Sequence, residues 1–248
     1  MTAIVLGQTP IALALVILLP MPSREAWPFI LLSGILHCGY QLFLMMSYRI
    51  GDLTQVYPIA RGVAPMLVAV ASFVLLGVIL NAGQLAAIAL ISLGVAIFGV
   101  LRIVQQGVDI KPIILALITG CFIAAYSMND GMGARVSGSA LSFYAYSAIV
   151  NFLIMMMFLM IWRRNVLREA ISHQKIMGAI GGGASFIAYA LVLWAFMQAP
   201  IAMVTALREV SILFAMLIGT IFLKEKVTLG KLVATGVIVL GIILMKVT

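Results

Sequence analysis

"VYPIARGVAPMLVAV", residues 56–70, sets a permanently charged side chain, Arg61, and two prolines in a run otherwise built almost entirely of apolar residues. The stretch recurs. Sliding the chain against itself by 147 residues places "ARGVAPMLVAV" (60–70) on "LREVSILFAML" (207–217), and "GQLAAIALISLG" (83–94) on "GKLVATGVIVLG" (230–241), without a gap. Arg61 then falls on Arg208, Val63 on Val210, Gly83 on Gly230, Ala87 on Ala234, Ile91 on Ile238 and Gly94 on Gly241. Apolar segments match easily by chance, but a paired arginine inside them does not, so the correspondence reads as an internal repeat.

Composition decides the solvent around such a pair. Of 248 residues, 65% are hydrophobic and only 9% charged, with a mean hydropathy of +1.24; soluble domains carry about 25% charged residues. The chain reads as an integral membrane protein. Its net charge of +8 rests on few residues between apolar runs, which fits loops facing anionic lipid or the cytoplasm and not a nucleic-acid partner. Cys38 and Cys121 lie alone in apolar segments, so neither a disulfide framework nor a metal site is expected. No basic region precedes the first apolar run and no small-residue site closes it, so it does not read as a cleaved signal peptide.

A spanning helix needs about 20 mostly apolar residues. Breaks at polar, Gly and Pro clusters divide the chain into nine such segments, at 3–20, 28–48, 54–78, 82–101, 112–131, 139–162, 176–198, 201–223 and 229–247. The loops are short, and the alternation of a membrane β-barrel is absent, so an all-α polytopic bundle is predicted. Under the repeat, the third and fourth segments correspond to the eighth and ninth, an odd offset. The two copies therefore cross the bilayer in opposite directions, the inverted-topology repeat typical of secondary transporters. The sixth segment pairs with the first, and the fifth has no counterpart. The chain divides into a first repeat of four spans, 1–103, and a second of five, 104–248.

The stretches "YRIGDLTQVYPIARGVAPMLVA" (48–69), "AAYSMNDGMGARVSG" (124–138) and "YALVLWAFMQAPIAMVTALREVSILFAMLIGTIFLKEKV" (189–227) resemble the drug/metabolite transporter superfamily, specifically its EamA-like permeases. The resemblance covers essentially the whole chain. It implies a ten-span inverted-repeat fold that moves small organic solutes by alternating access, with export as the family tendency and the inner or plasma membrane as the location. Two departures stand out: the first of the ten family spans is missing, and Val78 occupies the place where an acidic residue often closes the fourth family helix. The second repeat keeps Glu225 there.

Orientation reads in two ways. Arg49, Arg102, Lys111, Arg163, Arg164, Arg168, Lys175, Lys224, Lys226 and Lys231 lie on the side of the N-terminus, against Arg24, Arg135 and Lys246 on the other. The positive-inside rule then puts Met1 in the cytoplasm and Thr248 outside. The resemblance, with both ends of its members cytoplasmic, implies Met1 outside once the first span is removed.

Arg61 and Arg208 lead the candidate functional residues, because a charge at the bilayer centre costs at least about 2.5–3.5 kcal/mol and needs a partner, a cavity or water. Each is read as a tie to a carbonyl or carboxylate, as a contact to an anionic substrate group or gate, or as snorkelling to the nearer interface. Helical spacing puts Arg61, Ala64, Val68 and Ser72 on one face, and Arg208, Ser211, Ala215 and Gly219 on another. Glu209 points about 100° away from Arg208, so each needs a partner elsewhere. Asp130 is the candidate partner for Arg208, with a helix terminus at "NDGMG" as its alternative. If transport is coupled to protons, Glu209 and Asp130 are the carboxylates available to titrate. Pro65 lies inside its segment and is expected to kink it, as a hinge or as a fixed bend; its counterpart is Ile212.

Tyr57, Tyr40, Tyr126, Tyr189 and Trp194 are candidates to contact substrate, each with an interfacial anchor or core role as its alternative. His37 reads as a packing histidine. Gly178 and Gly182 have GxxxG spacing, which lets a neighbouring helix approach. No phosphate-binding, dinucleotide, zinc-hydrolase or nucleophile-elbow motif occurs, so no metal, cofactor or enzymatic activity is expected. The favoured reading is a secondary-active exporter of a small organic metabolite or drug, working through a central cavity. Its partners would be a small-molecule substrate and membrane lipid. Protons join them if transport is coupled, and a second copy, as a homodimer, if the flank left by the missing span is filled by protein. The alternatives are a lipid-linked sugar flippase of the same fold and an accessory membrane subunit that lost transport with its first helix.

Overall fold

The computed structural model describes residues 2–50, 53–106, 110–166, 175–222 and 228–248. Among the described residues there is no strand, and the helices follow the nine predicted segments. They are α1 (Thr2–Leu18), α2 (Trp27–Ile50), α3 (Leu53–Leu76), α4 (Ala82–Gln106), α5 (Ile110–Ser137), α6 (Ala140–Trp162), α7 (Lys175–Gln198), α8 (Ile201–Leu207), α9 (Ser211–Phe222) and α10 (Leu229–Val247). The eighth segment is the pair α8 and α9, joined by a 3-10 turn at Arg208–Val210. Seven helices are long and apolar enough to cross a membrane, and residues 2–18 and 82–98 form shorter apolar helices. Glu225 and most of the 163–175 loop lie outside the described residues.

Sequence chemistry sets the helix ends. Asn81 and Gln84 cap α4 reciprocally: the Asn81 amide donates to Gln84 Oε1 at 3.1 Å and the Gln84 amide to Asn81 Oδ1 at 2.8 Å, a capping box that satisfies two first-turn donors. Thr228, the residue equivalent to Asn81 under the 147-residue shift, caps α10 by accepting from the Lys231 amide. Gly77 (φ 63°) and Gly138 (φ 72°) end α3 and α5 in the left-handed region that glycine enters without strain. Along the spans, hydroxyls turn back on their own helix, as Thr9 does to the Val5 carbonyl and Thr205 to the Ile201 carbonyl. This satisfies them where no water is present. Large apolar side chains face outward at high exposure, such as Ile17 (82%), Ile79 (83%) and Met177 (80%); in a bilayer these are lipid contacts and not a liability.

The helices gather into two compact units. The first contains residues 1–41 and 129–199, that is α1, most of α2, the C-terminal part of α5, α6 and α7. Here α1 lies directly against α7. A Cβ on Gly182 would fall 2.5 Å from the Gly7 carbonyl carbon, and one on Gly178 would fall 2.7 Å from the Ala3 carbonyl oxygen. The GxxxG spacing thus serves close packing, since without a hydrophobic drive between helices in lipid the attraction is backbone-to-backbone contact. Gln8 Nε2 donates to Ser185 Oγ across the same seam at 3.0 Å.

The second unit contains residues 42–128 and 200–248, and its core is the pair α4 and α10. A Cβ on Gly94 would fall 2.9 Å from the Ala234 carbonyl oxygen and 3.0 Å from the Ile238 amide nitrogen; one on Gly241 would fall 3.0 Å from the Ala87 oxygen and 3.0 Å from the Ile91 nitrogen. Gly94, Ala87 and Ile91 are the residues that the 147-residue shift places on Gly241, Ala234 and Ile238. Each glycine therefore docks on the other helix's copy of its own surroundings. Later residues of α4 meet earlier residues of α10, so the two helices run antiparallel and are related by a local pseudo-two-fold.

One predicted local feature comes out differently. Residues 129–133 were open to a helix terminus, but α5 continues as a regular helix to Ser137, because Asn129 and Asp130 spend their side chains on tertiary hydrogen bonds and not on a turn. The helix α3 runs without a break through Pro58 and Pro65. The interruption appears in the other copy, at Arg208–Val210.

Candidate functional site

Arg61 lies on α3 one turn after Tyr57, and in the second unit its guanidinium makes three kinds of contact. Nη1 donates to the Tyr57 hydroxyl. Nε stands 2.8 Å from Glu209 Oε2 and Nη2 donates to Glu209 Oε1 at 3.1 Å, an ion pair at both carboxylate oxygens with a hydrogen bond to one of them. Nη2 also donates to the Arg208 carbonyl at 3.2 Å. The Arg61 side chain is 15% exposed and that of Glu209 is 2% exposed, so the ion pair is buried on both sides. The tie to a carboxylate and a carbonyl is thus present.

The backbone at both arginines is irregular. Proline at position 65 cannot donate to the carbonyl four residues before it, which is that of Arg61. In the other copy, the 3-10 turn brings the Ser211 amide to the Arg208 carbonyl, and the Arg61 guanidinium shares that oxygen. Such non-α backbone is tolerated at membrane depth where polar side chains satisfy it. The turn also changes the helical phase after Arg208. Ser211, expected on the arginine's face, is exposed, whereas Ala64, Val68 and Ser72 on α3 are buried as the spacing predicted. The surroundings of Ala215 and Gly219 lie outside the described residues.

The ion pair has no mirror image in the first copy. Glu209 is equivalent to Gly62, and a Cβ there would already fall 3.1 Å from the Ser92 carbonyl oxygen and 3.1 Å from the Ala96 nitrogen. A carboxylate has no room. Arg208 is held on α5 instead, donating from Nη1 to Ser127 Oγ at 3.3 Å and from Nη2 to the Tyr126 hydroxyl at 3.2 Å. Each arginine also stands near a tyrosine ring, Arg61 5.3 Å from the Tyr57 centroid and Arg208 5.9 Å from that of Tyr126, within the range of cation–π attraction.

The first unit holds a second buried polar cluster. Asp130, on α5, is 0% exposed. Its Oδ2 accepts from the Tyr189 hydroxyl of α7 at 2.7 Å and lies 2.8 Å from His37 Nε2 of α2. Its Oδ1 accepts from Asn129 Nδ2 at 3.0 Å, and the same amide reaches the Phe29 carbonyl at 2.9 Å. Tyr189 packs edge-on to His37 and to Tyr144 of α6, with centroids 5.3 and 5.0 Å apart. Tyr40 is half-buried one turn beyond His37. Trp194 is 60% exposed on α7 and joins neither cluster.

Of the residues singled out in the sequence, Arg61, Glu209, Tyr57, Arg208 and Tyr126 thus belong to the second unit's cluster, and Asp130 and Tyr189 to the first unit's. The contribution that sequence reasoning missed is His37. The available signal was that an ionisable residue inside a spanning helix is a functional candidate by default.

A helical chain with lipid-facing apolar surfaces, antiparallel repeat-related helices and buried charges held in clusters is a multi-pass membrane protein with an inverted repeat. A model of the EamA-like transporter family matches residues 110–247, more than half of the chain, and the chain belongs to that family. It is a membrane transporter of the drug/metabolite superfamily. A solved structure, described only as the crystal structure of a protein, is similar at a TM-score of 0.74 and 16% identity, with 99% of this chain and 85% of that one covered. The similarity extends the same fold over the N-terminal part. No curated protein sequence matches.

Proposed function

We propose that the protein is a secondary-active exporter of a small organic metabolite or drug, working by alternating access between two inverted repeats, 1–103 and 104–248. The observation that carries this reading is the reciprocal docking of Gly94 and Gly241, in which antiparallel helices exchange equivalent contacts. Inverted repeats allow each copy to take the conformation of the other, so that a binding site opens first to one side of the membrane and then to the other. Arg61, Arg208, Glu209, Tyr57 and Tyr126 in one unit, and Asp130, Tyr189 and Tyr40 in the other, are the groups assigned to binding and gating. Pro65 is assigned to the hinge, since it removes one backbone bond beside Arg61.

Flux into proteoliposomes tests the proposal. The purified chain is screened with ethidium, a radiolabelled amino-acid mixture and radiolabelled uridine, with Arg208→Ala run beside the parent. Saturable flux of one class, reduced by the substitution, supports a transporter with Arg208 in its binding machinery. Flux equal to that of protein-free vesicles for every class sinks the reading.

A further inference from the structure

The helices of the first unit are almost free of charge. Among its described residues, α1, α2 as far as Gln41, α6 and residues 176–198 carry no Asp, Glu, Lys or Arg. Asp130 is the one carboxylate in these spanning helices, and Arg135, the other charge of this part of α5, is turned to the Phe196 and Ala199 carbonyls at 2.8 Å each. Titratable side chains face Asp130 from two other helices, His37 from α2 and Tyr189 from α7, with Tyr144 of α6 against the Tyr189 ring.

We propose that His37 and Asp130 form the proton-binding site of the transport cycle, an inference that rests on the transporter reading above. An ionised Asp130 can only accept, so in the proposed site Nε2, 2.8 Å from Oδ2, is the donor. The proton taken from water is then bound at Nδ1, and given back from Nδ1. Unloaded, the cluster is a neutral imidazole on a carboxylate and carries one negative charge. Loaded, it is an imidazolium on a carboxylate and carries none. A net change of one charge in a low-dielectric interior is the kind of difference that biases one membrane-protein conformation over another.

The rest of the cluster fits that role. Tyr189 and Asn129 donate to the carboxylate in both states, so Asp130 stays in place while the charge beside it changes. His37 is also the less enclosed member: its side chain is 18% exposed against 1% for Asp130, and in the proposed cycle the imidazole takes the proton while Asp130 stays ionised beside it.

The chain has only two histidines, His37 and His173, which makes the test direct. The full chain, labelled at histidine ring nitrogens and held in lipid nanodiscs, is observed by NMR at about pH 8 and about pH 5, with His173→Ala identifying the His37 signals. The expected result is a change from a neutral ring with Nε2 protonated to a doubly protonated ring. A His37 ring in the same state at both values overturns the proposal.

In proteoliposomes with an imposed pH gradient, any probe carried by the parent is expected to respond about tenfold to the gradient. With Asp130→Asn the response to the gradient disappears. An Asp130→Asn variant whose flux follows the gradient as the parent's does also overturns the proposal. Should no probe move even with the parent, the transporter reading falls and this inference with it, whereas parent flux that ignores the gradient overturns this inference alone.

Discussion

Glu209 carries a carboxylate into an apolar helix at 2% exposure and meets it with both sides of the Arg61 fork. A pair of this kind is weak evidence for stability as such, because desolvating two ions offsets most of their attraction, but removing one partner strands the other in low dielectric. Glu209→Gln and Arg61→Ala should therefore each destabilise the protein by about 3–5 kcal/mol, seen as earlier thermal unfolding in detergent. The double variant Arg61→Met with Glu209→Met leaves no buried charge and should lose less than either single change. A double variant as unstable as the sum of the singles would mean that the pair contributes through packing and not through charge. The identity of the partners was half legible in the sequence. The repeat marked both arginines, and the 100° step between Arg208 and Glu209 required separate partners for them. That Glu209 would choose Arg61 depends on Gly62 having no room for an acid in the first copy, a fact of packing with α4 that spacing does not carry.

At the level of the helix, the same repeat predicts that damage should be symmetric. Gly94→Ala and Gly241→Ala each push a methyl group against the partner's backbone, within 3.0 Å of a peptide nitrogen and of a carbonyl oxygen. The nearest atom in each case is a side-chain carbon, Ile238 Cγ1 at 2.6 Å and Ile91 Cγ1 at 2.7 Å, but the backbone atoms beside it cannot turn aside. Overpacking of this kind costs about 1–3 kcal/mol, so both variants should melt several degrees below the parent, and by similar amounts. Gly236→Ala in α10 is the control, since nothing stands within 4 Å of its Cβ position; helix propensity favours alanine there by up to about 1 kcal/mol. A large loss at Gly94 with none at Gly241 would count against the pseudo-two-fold. Helix number and extent were legible because apolar runs in a membrane are long and their caps are local. The fifth helix shows the limit: "NDGMG" is turn chemistry on a local scale, yet Asn129 and Asp130 find the Phe29 carbonyl, His37 and Tyr189, and the helix carries on to Ser137. The break at Arg208–Val210 was hidden for the opposite reason. No Gly or Pro marks it, whereas α3 carries Pro58 and Pro65 and stays helical through both.

For the whole chain, inverted repeats joined in one polypeptide make orientation a matter of loop charge, because the two copies present no preferred side of their own. Between Arg163 and Thr248 lie three segments long and apolar enough to cross the bilayer, α7, α8 with α9, and α10. The 163–175 loop carries Arg163, Arg164, Arg168 and Lys175, while Lys246 is the only basic residue beyond α10's first turn. Lys and Arg resist translocation, and short loops are where the bias acts most strongly. A fluorescent reporter inserted after Arg164 should therefore fold in the cytoplasm, and an alkaline phosphatase fused at Thr248 should be active on the far side. Cytoplasmic activity at both positions would mean that an even number of these segments cross. A cytoplasmic Thr248 with an external loop would instead show that the charge bias is overridden, and that the family's usual orientation of its C-terminus prevails. The second result would also reverse which side His37 meets in a given conformation, and with it the sign of the pH gradient expected to drive the proposed transport.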